Sequence, residues 1–261
     1  MTSDKAGKSY WDSLWASTPR SPVRAPSEFA LREDRWLRAA LPQVETRGWH
    51  VLELGCARSE MLPFLATAHG FIVTGLDYST VGCEQACQVL AEHGVAGDVV
   101  CGDFFTPPER LLGAFDLVTS FGLAEHFEDT AGCIAAFARF VKPGGFLFTS
   151  IPNMAGAVGT LQKLFSREIY DKHVPIERSR LERANTDAGL TVLRCEYFMP
   201  MNFGVVNIGP RSPTYLARRL GLAALTRISR LVLALEASGV PVPTTATLAP
   251  YVNCLARKPA T

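Results

Sequence analysis

Through the middle of the chain, short apolar runs end in an acid, pass through small residues and give way to apolar positions at helical spacing. The first of these runs is His50-Val51-Leu52-Glu53-Leu54, a short buried strand. A tight turn of small residues over 55–59 follows, then a helix over 60–69 with Leu62, Leu65 and Ala66 on one face. Residues 71–77 repeat the pattern, ending in Asp77 before a helix over 79–93, and residues 99–103 form a third strand ending in Asp103. Residues 115–121 are the fourth strand, and Asp129 or Thr130 caps a helix that runs to 141. Lys142-Pro143-Gly144-Gly145 reads as a turn before a fifth strand over 146–151. A helix over 179–188, a sixth strand over 191–198 and a last strand over about 248–257 complete the alternation, which predicts a parallel sheet with helices on both faces.

Three stretches stand outside this rhythm. Near the start, Tyr10, Trp11 and Trp15 crowd into six residues, and the two tryptophans, four apart, share one face of a helical turn. Such a segment either caps the body or closes over a pocket. Residues 18–26 read as an extended, proline-rich linker, and Ser27 as the N-cap of a helix that stops at Pro42. Residues 152–178 form an inserted loop or lid rich in Gly, Asn and Pro, and a second insertion spans 199–246. In that insertion, residues 213–238 are helical, with Arg219, Arg227 and Arg230 on one narrow stripe of an otherwise apolar circumference. That stripe favours a lid or a homodimer surface over a membrane face, which usually carries a wider basic band. The expected organisation is a cap over 1–45 and a catalytic domain over 46–261 with these two insertions.

Composition narrows the partners. With 261 residues, 48% of them hydrophobic, and a formal net charge of +1, the chain fits one sizeable core and carries no overall field to recruit nucleic acid or an anionic membrane. Its seven cysteines are scattered and form no Cys-x-x-Cys pair, so no disulfide framework or structural zinc site is expected. The first residues lack the layout of a signal peptide and no apolar run is long enough to span a bilayer, which fits a cytoplasmic setting.

The chemistry of the first turn decides among nucleotide ligands. A dinucleotide site needs three glycines and a helix N-terminus open to pyrophosphate. Here Gly55 is followed by Ala57 and Ser59, and Glu53 stands where its charge repels phosphate. An oxidoreductase of that type is disfavoured on this count. A cationic ligand with an uncharged ribose suits the acids better, and S-adenosylmethionine carries a sulfonium, an ammonium and ribose hydroxyls without phosphate.

Taken together, Glu53-Leu54-Gly55-Cys56-Ala57, Asp77 after Val73-Thr74-Gly75-Leu76, Gly102-Asp103-Phe104, Phe115-Asp116-Leu117-Val118 leading to Glu125-His126-Phe127, and Lys142-Pro143-Gly144-Gly145 resemble, in order and spacing, the class I S-adenosylmethionine-dependent methyltransferases. The likeness is to members acting on small molecules such as quinones and secondary metabolites. It departs from the family turn at Ala57, which stands for a second glycine. The resemblance implies a Rossmann-like α/β fold with a seven-stranded, mostly parallel sheet whose last strand is antiparallel. It implies a cofactor site of Glu53, Gly55, Cys56, Ala57, Asp77, Tyr78, Asp103, Phe104 and Phe121, with Asp77 on the ribose hydroxyls and Asp103 and Phe104 on the adenine.

Methyl transfer is an in-line displacement that requires alignment and, for a hydroxyl nucleophile, removal of a proton. His126, after the fourth strand, and His173, in the first insertion, are the candidate bases. Trp11, Trp15, Tyr170, Asn202 and Phe203 are the candidate acceptor contacts, joined by Phe165, Met199 and Met201. They point to an aromatic or apolar acceptor and favour O-methylation over transfer to N, S or C. With no paired carboxylates after the fourth strand beyond the cap-like Glu128-Asp129, no metal is expected and the mechanism reads as metal-independent. A protein that binds the cofactor without turning it over is the remaining alternative.

Overall fold

In a computed structural model describing residues 4–18, 25–208 and 215–260, the alternation predicted from residue 50 onward is present in full. The strands are β1 (His50–Leu54), β2 (Ile72–Asp77), β3 (Gly97–Cys101), β4 (Phe115–Phe121), β5 (Val141–Pro152), β6 (Thr191–Phe198) and β7 (Tyr251–Arg257). The helices are α1 (Lys8–Ser17), α2 (Glu28–Ala40), α3 (Met61–His69), α4 (Thr80–Glu92), α5 (Thr130–Ala138), α6 (Ala157–Phe165), α7 (Arg167–Tyr170), α8 (Arg178–Asp187) and α9 (Tyr215–Ala237). The strands make one seven-stranded sheet in the order β3-β2-β1-β4-β5-β7-β6. β7 runs antiparallel to both β5 and β6, and the β1, β2, β3, β4 and β5 pairings are parallel. Chain order reverses between β1 and β4, which opens a crevice beyond their C-terminal ends.

Apolar side chains bury both faces of the sheet, which is why its central strands read as continuous apolar runs. Leu52 and Leu54 pack with Ile134, Phe137, Phe140 and Leu147 on one face, while Val51, Leu62, Leu65, Leu117 and Phe148 fill the other. Trp36 and Leu37 of α2 join that second core, so α2 is packed into the body. Ser27 and Asp129 cap helices as predicted, and Ser79, expected only as a helix start, is a third cap. The side chains of Ser27, Ser79 and Asp129 accept hydrogen bonds from the backbone N–H of Ala30 (3.1 Å), Gly82 (3.0 Å) and Asp129's own third successor, Gly132 (2.8 Å).

Four expectations need revision. β3 lies two residues earlier than predicted because it pairs with β2 from Val73↔Gly97 to Asp77↔Cys101; being at the sheet edge, it tolerates polar residues, and Asp103 falls in the loop beyond it. The turn at 142–145 is instead an irregularity within β5, where the register against β4 shifts between Phe115 and Leu117. The stretch 152–178 is largely helical: α6 packs Val158 and Phe165 into a small core with Phe203 and Val206. The last strand starts at Tyr251, three residues after the predicted 248. Residues 19–24 of the expected linker and 213–214 at the start of the second insertion's helix lie outside the described residues. Among the described residues no helix is long and apolar enough to cross a membrane.

Candidate active site

At the C-terminal ends of β1, β2 and β4, the first turn encloses a cavity of about 440 Å³. Gly55 turns the chain at φ 73°, a left-handed conformation that a side chain would strain, and a Cβ there would also meet Leu123 at 3.2 Å. The Ala57 methyl points toward α4: a Cβ placed on Gly82 would lie 2.6 Å from it. The glycine missing from the loop is therefore matched by a glycine in the helix that faces it.

Among the described residues the cavity is lined by five carboxylates, from Asp4, Glu53, Glu60, Asp77 and Asp103, and by one guanidinium, from Arg58. Asp77 is 8% exposed, and its carboxylate accepts from the backbone N–H of Ala57 (3.1 Å) and Ser79 (2.8 Å). Burial raises its carboxyl above the ordinary value, and these donors oppose the rise. Glu53 is 2% exposed; burial lifts its carboxyl to about 8, against one hydrogen bond of 2.8 Å from the Ser59 hydroxyl. Asp103 accepts from the Phe105 N–H at 2.8 Å. This wall repels phosphate and suits a cation carrying ribose hydroxyls.

The N-terminal segment roofs this cavity. The Asp4 carboxylate accepts from the Trp11 indole N–H at 3.0 Å and from the Tyr78 hydroxyl, and Asp4 also bridges Phe127 as a short antiparallel pair. Asp12 accepts from the Ser79 hydroxyl at 2.6 Å, and the Trp15 carbonyl accepts from Gln85 at 3.0 Å. Trp11 and Trp15 stack with centroids 5.9 Å apart, as their spacing predicted. Their place is revised, however: both line the cavity of the acids, because α1 packs over α4 and the Asp4 clasp turns the indoles inward.

A second cavity, of about 760 Å³, adjoins the first and shares Phe29 and Gly122 with it. Phe29, Met154, Met199, Val205, Leu233 and Tyr251 give it apolar and aromatic walls, and polar residues, Glu125, His173, Asn202 and Arg230 with Glu28, Asn207, Thr226 and Ser229, complete the lining. Asn202 is thus where an acceptor contact was expected. Phe203 is not: it is buried in the α6 core, its N–H bonded to the Ser229 hydroxyl at 2.9 Å. Tyr170 lines neither cavity and lies beneath the Lys163 ammonium, 5.6 Å from its ring centroid. Nor does the Cys56 side chain, which is fully buried against Gly75.

The two candidate bases meet. The Val174 N–H donates to the Glu125 carbonyl at 2.6 Å and draws the first insertion onto the end of β4, so that the His126 and His173 rings lie 4.7 Å apart. Both Nδ1 atoms face backbone carbonyls, Lys172 at 2.8 Å and Ile169 at 2.7 Å. A carbonyl only accepts, so each Nδ1 carries the proton and each Nε2 its lone pair. Burial lowers the His126 pKa, and burial together with the neighbouring His126 lowers that of His173 to about 4. His126 is covered by Trp11, at 4.9 Å, and lines neither cavity, whereas His173 faces the second.

Phe29 is one of the residues that sequence reasoning missed. It touches both cavities, but nothing in a helix-face phenylalanine distinguishes it from a core residue; only its position two after the Ser27 cap hinted that it stood near an end. Asp4 and Gly122 were missed in the same way.

The model of a methyltransferase domain family matches residues 27–194. The chain is 30% identical over 191 residues to a ubiquinone biosynthesis O-methyltransferase of Thiobacillus denitrificans, covering 69% of this chain and 77% of that one. It is 34% identical over 154 residues to a protein of the same name from Pseudomonas paraeruginosa, covering 56% and 66%. Among solved structures, a putative sarcosine dimethylglycine methyltransferase from Galdieria sulphuraria superposes with a TM-score of 0.62 at 19% identity over 99% of both chains, a likeness of fold.

Proposed function

Because this chain belongs to the S-adenosylmethionine-dependent methyltransferases of small molecules, we propose that it methylates a hydroxyl of a small aromatic or apolar acceptor held in the second cavity. The cofactor supplies the methyl group. Asp77 holds its ribose hydroxyls, Asp103 and the Phe104 backbone its adenine, and Glu53 the cationic amino-acid end, with Gly55, Ala57, Tyr78 and Phe121 shaping the cavity. The observation that carries the reading is the contact between the two cavities at Phe29 and Gly122: one wall is acidic and suited to a phosphate-free cation, the other apolar and aromatic. A nucleophile bound in the second cavity reaches the first at that junction, where positioning does most of the work of an in-line transfer. Uptake of the acceptor's proton falls to the Glu125, His126 and His173 group, which opens onto the second cavity through Glu125 and His173. The printed names of the relatives, O-methyltransferases, support oxygen as the nucleophile.

The test is an acceptor screen with methyl-labelled S-adenosylmethionine, with phenols set against matched amines and thiols and Asp77→Ala as the inactive control. Label in phenols is the expected outcome; label only in amines or thiols overturns the choice of oxygen. A homodimer through the insertions is part of this proposal. It is supported by the exposed Leu216, Leu220, Leu231 and Leu235 of α9 and tested by sedimentation equilibrium.

A further inference from the structure

Glu125, His126 and His173 offer one ligand atom each, all within 4.8 Å of one another. Three features separate this cluster from an ordinary buried polar group. Both histidines have Nδ1 committed to a carbonyl, which leaves Nε2 as a lone pair, the arrangement that orients metal-bound imidazoles. Glu125 is 1% exposed, and its Oε2 is buried without a hydrogen-bond partner. A buried carboxylate oxygen in that position is costly unless a cation or donor completes it. The third feature is access, since Glu125 and His173 both line the second cavity.

We propose that Glu125, His126 and His173 bind a divalent transition-metal ion, with its remaining coordination positions open to the acceptor's hydroxyl oxygen. Two imidazoles and one carboxylate select zinc, cobalt, nickel, iron or manganese over magnesium and calcium, which prefer all-oxygen sites. The Glu125 Oε1 to His126 Nε2 separation is 3.8 Å, within the roughly 4.2 Å that two bonds of ~2.1 Å to such an ion can span. The nearby ammoniums are engaged elsewhere: Lys172 lies over the Tyr10 ring at 4.4 Å and pairs with Glu168 at 3.8 Å, and Lys5 pairs with Glu128 at 3.7 Å. With the ion bound, the three side chains serve as ligands in place of the proton uptake described above: the ion would lower the pKa of a bound hydroxyl, whose proton would pass to solvent water through the second cavity. The inference rests on the acceptor reading above and revises the expectation of a metal-free mechanism.

The experiment is cobalt titration of the full chain after dialysis against a chelator, read by visible absorption, with zinc competition followed by calorimetry. The expected result is one cobalt per chain, with visible ligand-field bands and no near-ultraviolet thiolate band, displaced by zinc and not by magnesium. His173→Ala, on a half-exposed segment, and Glu125→Gln should each weaken binding by more than about 100-fold. S-adenosylhomocysteine affinity is measured on each variant to show that it is folded, and His50→Gln, at the far end of β1, should bind cobalt as the parent does. Absence of ligand-field bands in the folded parent, a thiolate band in their place, or undiminished binding in His173→Ala overturns the proposal. Metal binding is read without an acceptor. Methyl transfer to phenols by a chain that takes up no cobalt therefore sinks this inference and spares the functional reading, whereas stoichiometric cobalt without phenol methylation does the reverse.

Discussion

The two cavities are built in different ways. The acidic cavity draws its key groups from successive strand ends within one stretch of about fifty residues, Glu53, Asp77 and Asp103, two of them held by backbone N–H groups. The apolar cavity collects Phe29, Glu125, Met154, His173, Met199, Arg230 and Tyr251 from across the chain, brought together by packing and by the backbone bond from Val174 to Glu125. Chemistry tied to a strand end is set by local sequence, whereas chemistry assembled from insertions depends on how those insertions fold back.

The sharpest way to break this contrast is Asp77→Ala. It removes an anchored carboxylate and leaves the Ala57 and Ser79 N–H groups without their acceptor, a loss of about 3 kcal/mol, or roughly 100-fold in affinity. Calorimetry with S-adenosylhomocysteine measures it, and a change within threefold would mean that the acids do not hold the cofactor. Next is Gly82→Ala, whose methyl would collide with that of Ala57 and weaken cofactor binding or stability by about 1–3 kcal/mol. Adding Ala57→Gly should restore most of the loss, and strict additivity in this double-mutant cycle would show that the pair is not coupled.

Acidity gives a smaller effect. Burial holds Glu53 at about 8, so the carboxylate form grows as pH rises from 6 to 8 and the affinity for the cationic cofactor should rise about tenfold over that range. Glu53→Gln should flatten the profile. For the protein alone the sign is opposite: a carboxyl whose folded pKa is raised costs stability as pH climbs from the ordinary carboxylate range toward 8, and denaturant midpoints in the parent and in Glu53→Gln test this. The smallest expected change sharpens the other side. Arg230→Ala, at the solvent edge of the second cavity, should move the acceptor's KM by a few-fold while S-adenosylhomocysteine affinity stays put.

Much of the acidic cavity was legible in the sequence because each part is local. Apolar runs marked β1, β4 and β6 at their observed bounds, and Ser27, Ser79 and Asp129 marked helix starts by a side chain that can accept three residues on. The apolar cavity was legible only in its residue types. Trp11 and Trp15 were read as acceptor contacts since aromatics suit one, but the direction they face depends on Asp4, whose role no local pattern announces. Phe203 and Tyr170 went astray for the same reason: burial in the α6 core and stacking under a lysine are tertiary outcomes. His126 and His173 were named separately, and their meeting depends on a backbone bond between residues 125 and 174 that no spacing foretells.

Asp4, Trp11 and Trp15 line the acidic cavity and not the second, which draws Glu28 and Phe29 from α2 and Thr226, Ser229, Arg230 and Leu233 from α9. On the proposed assignment of cofactor and acceptor to these cavities, that asymmetry predicts an ordered catalytic cycle. Cofactor should bind before the acceptor and the demethylated cofactor should leave last, an order that product-inhibition kinetics checks.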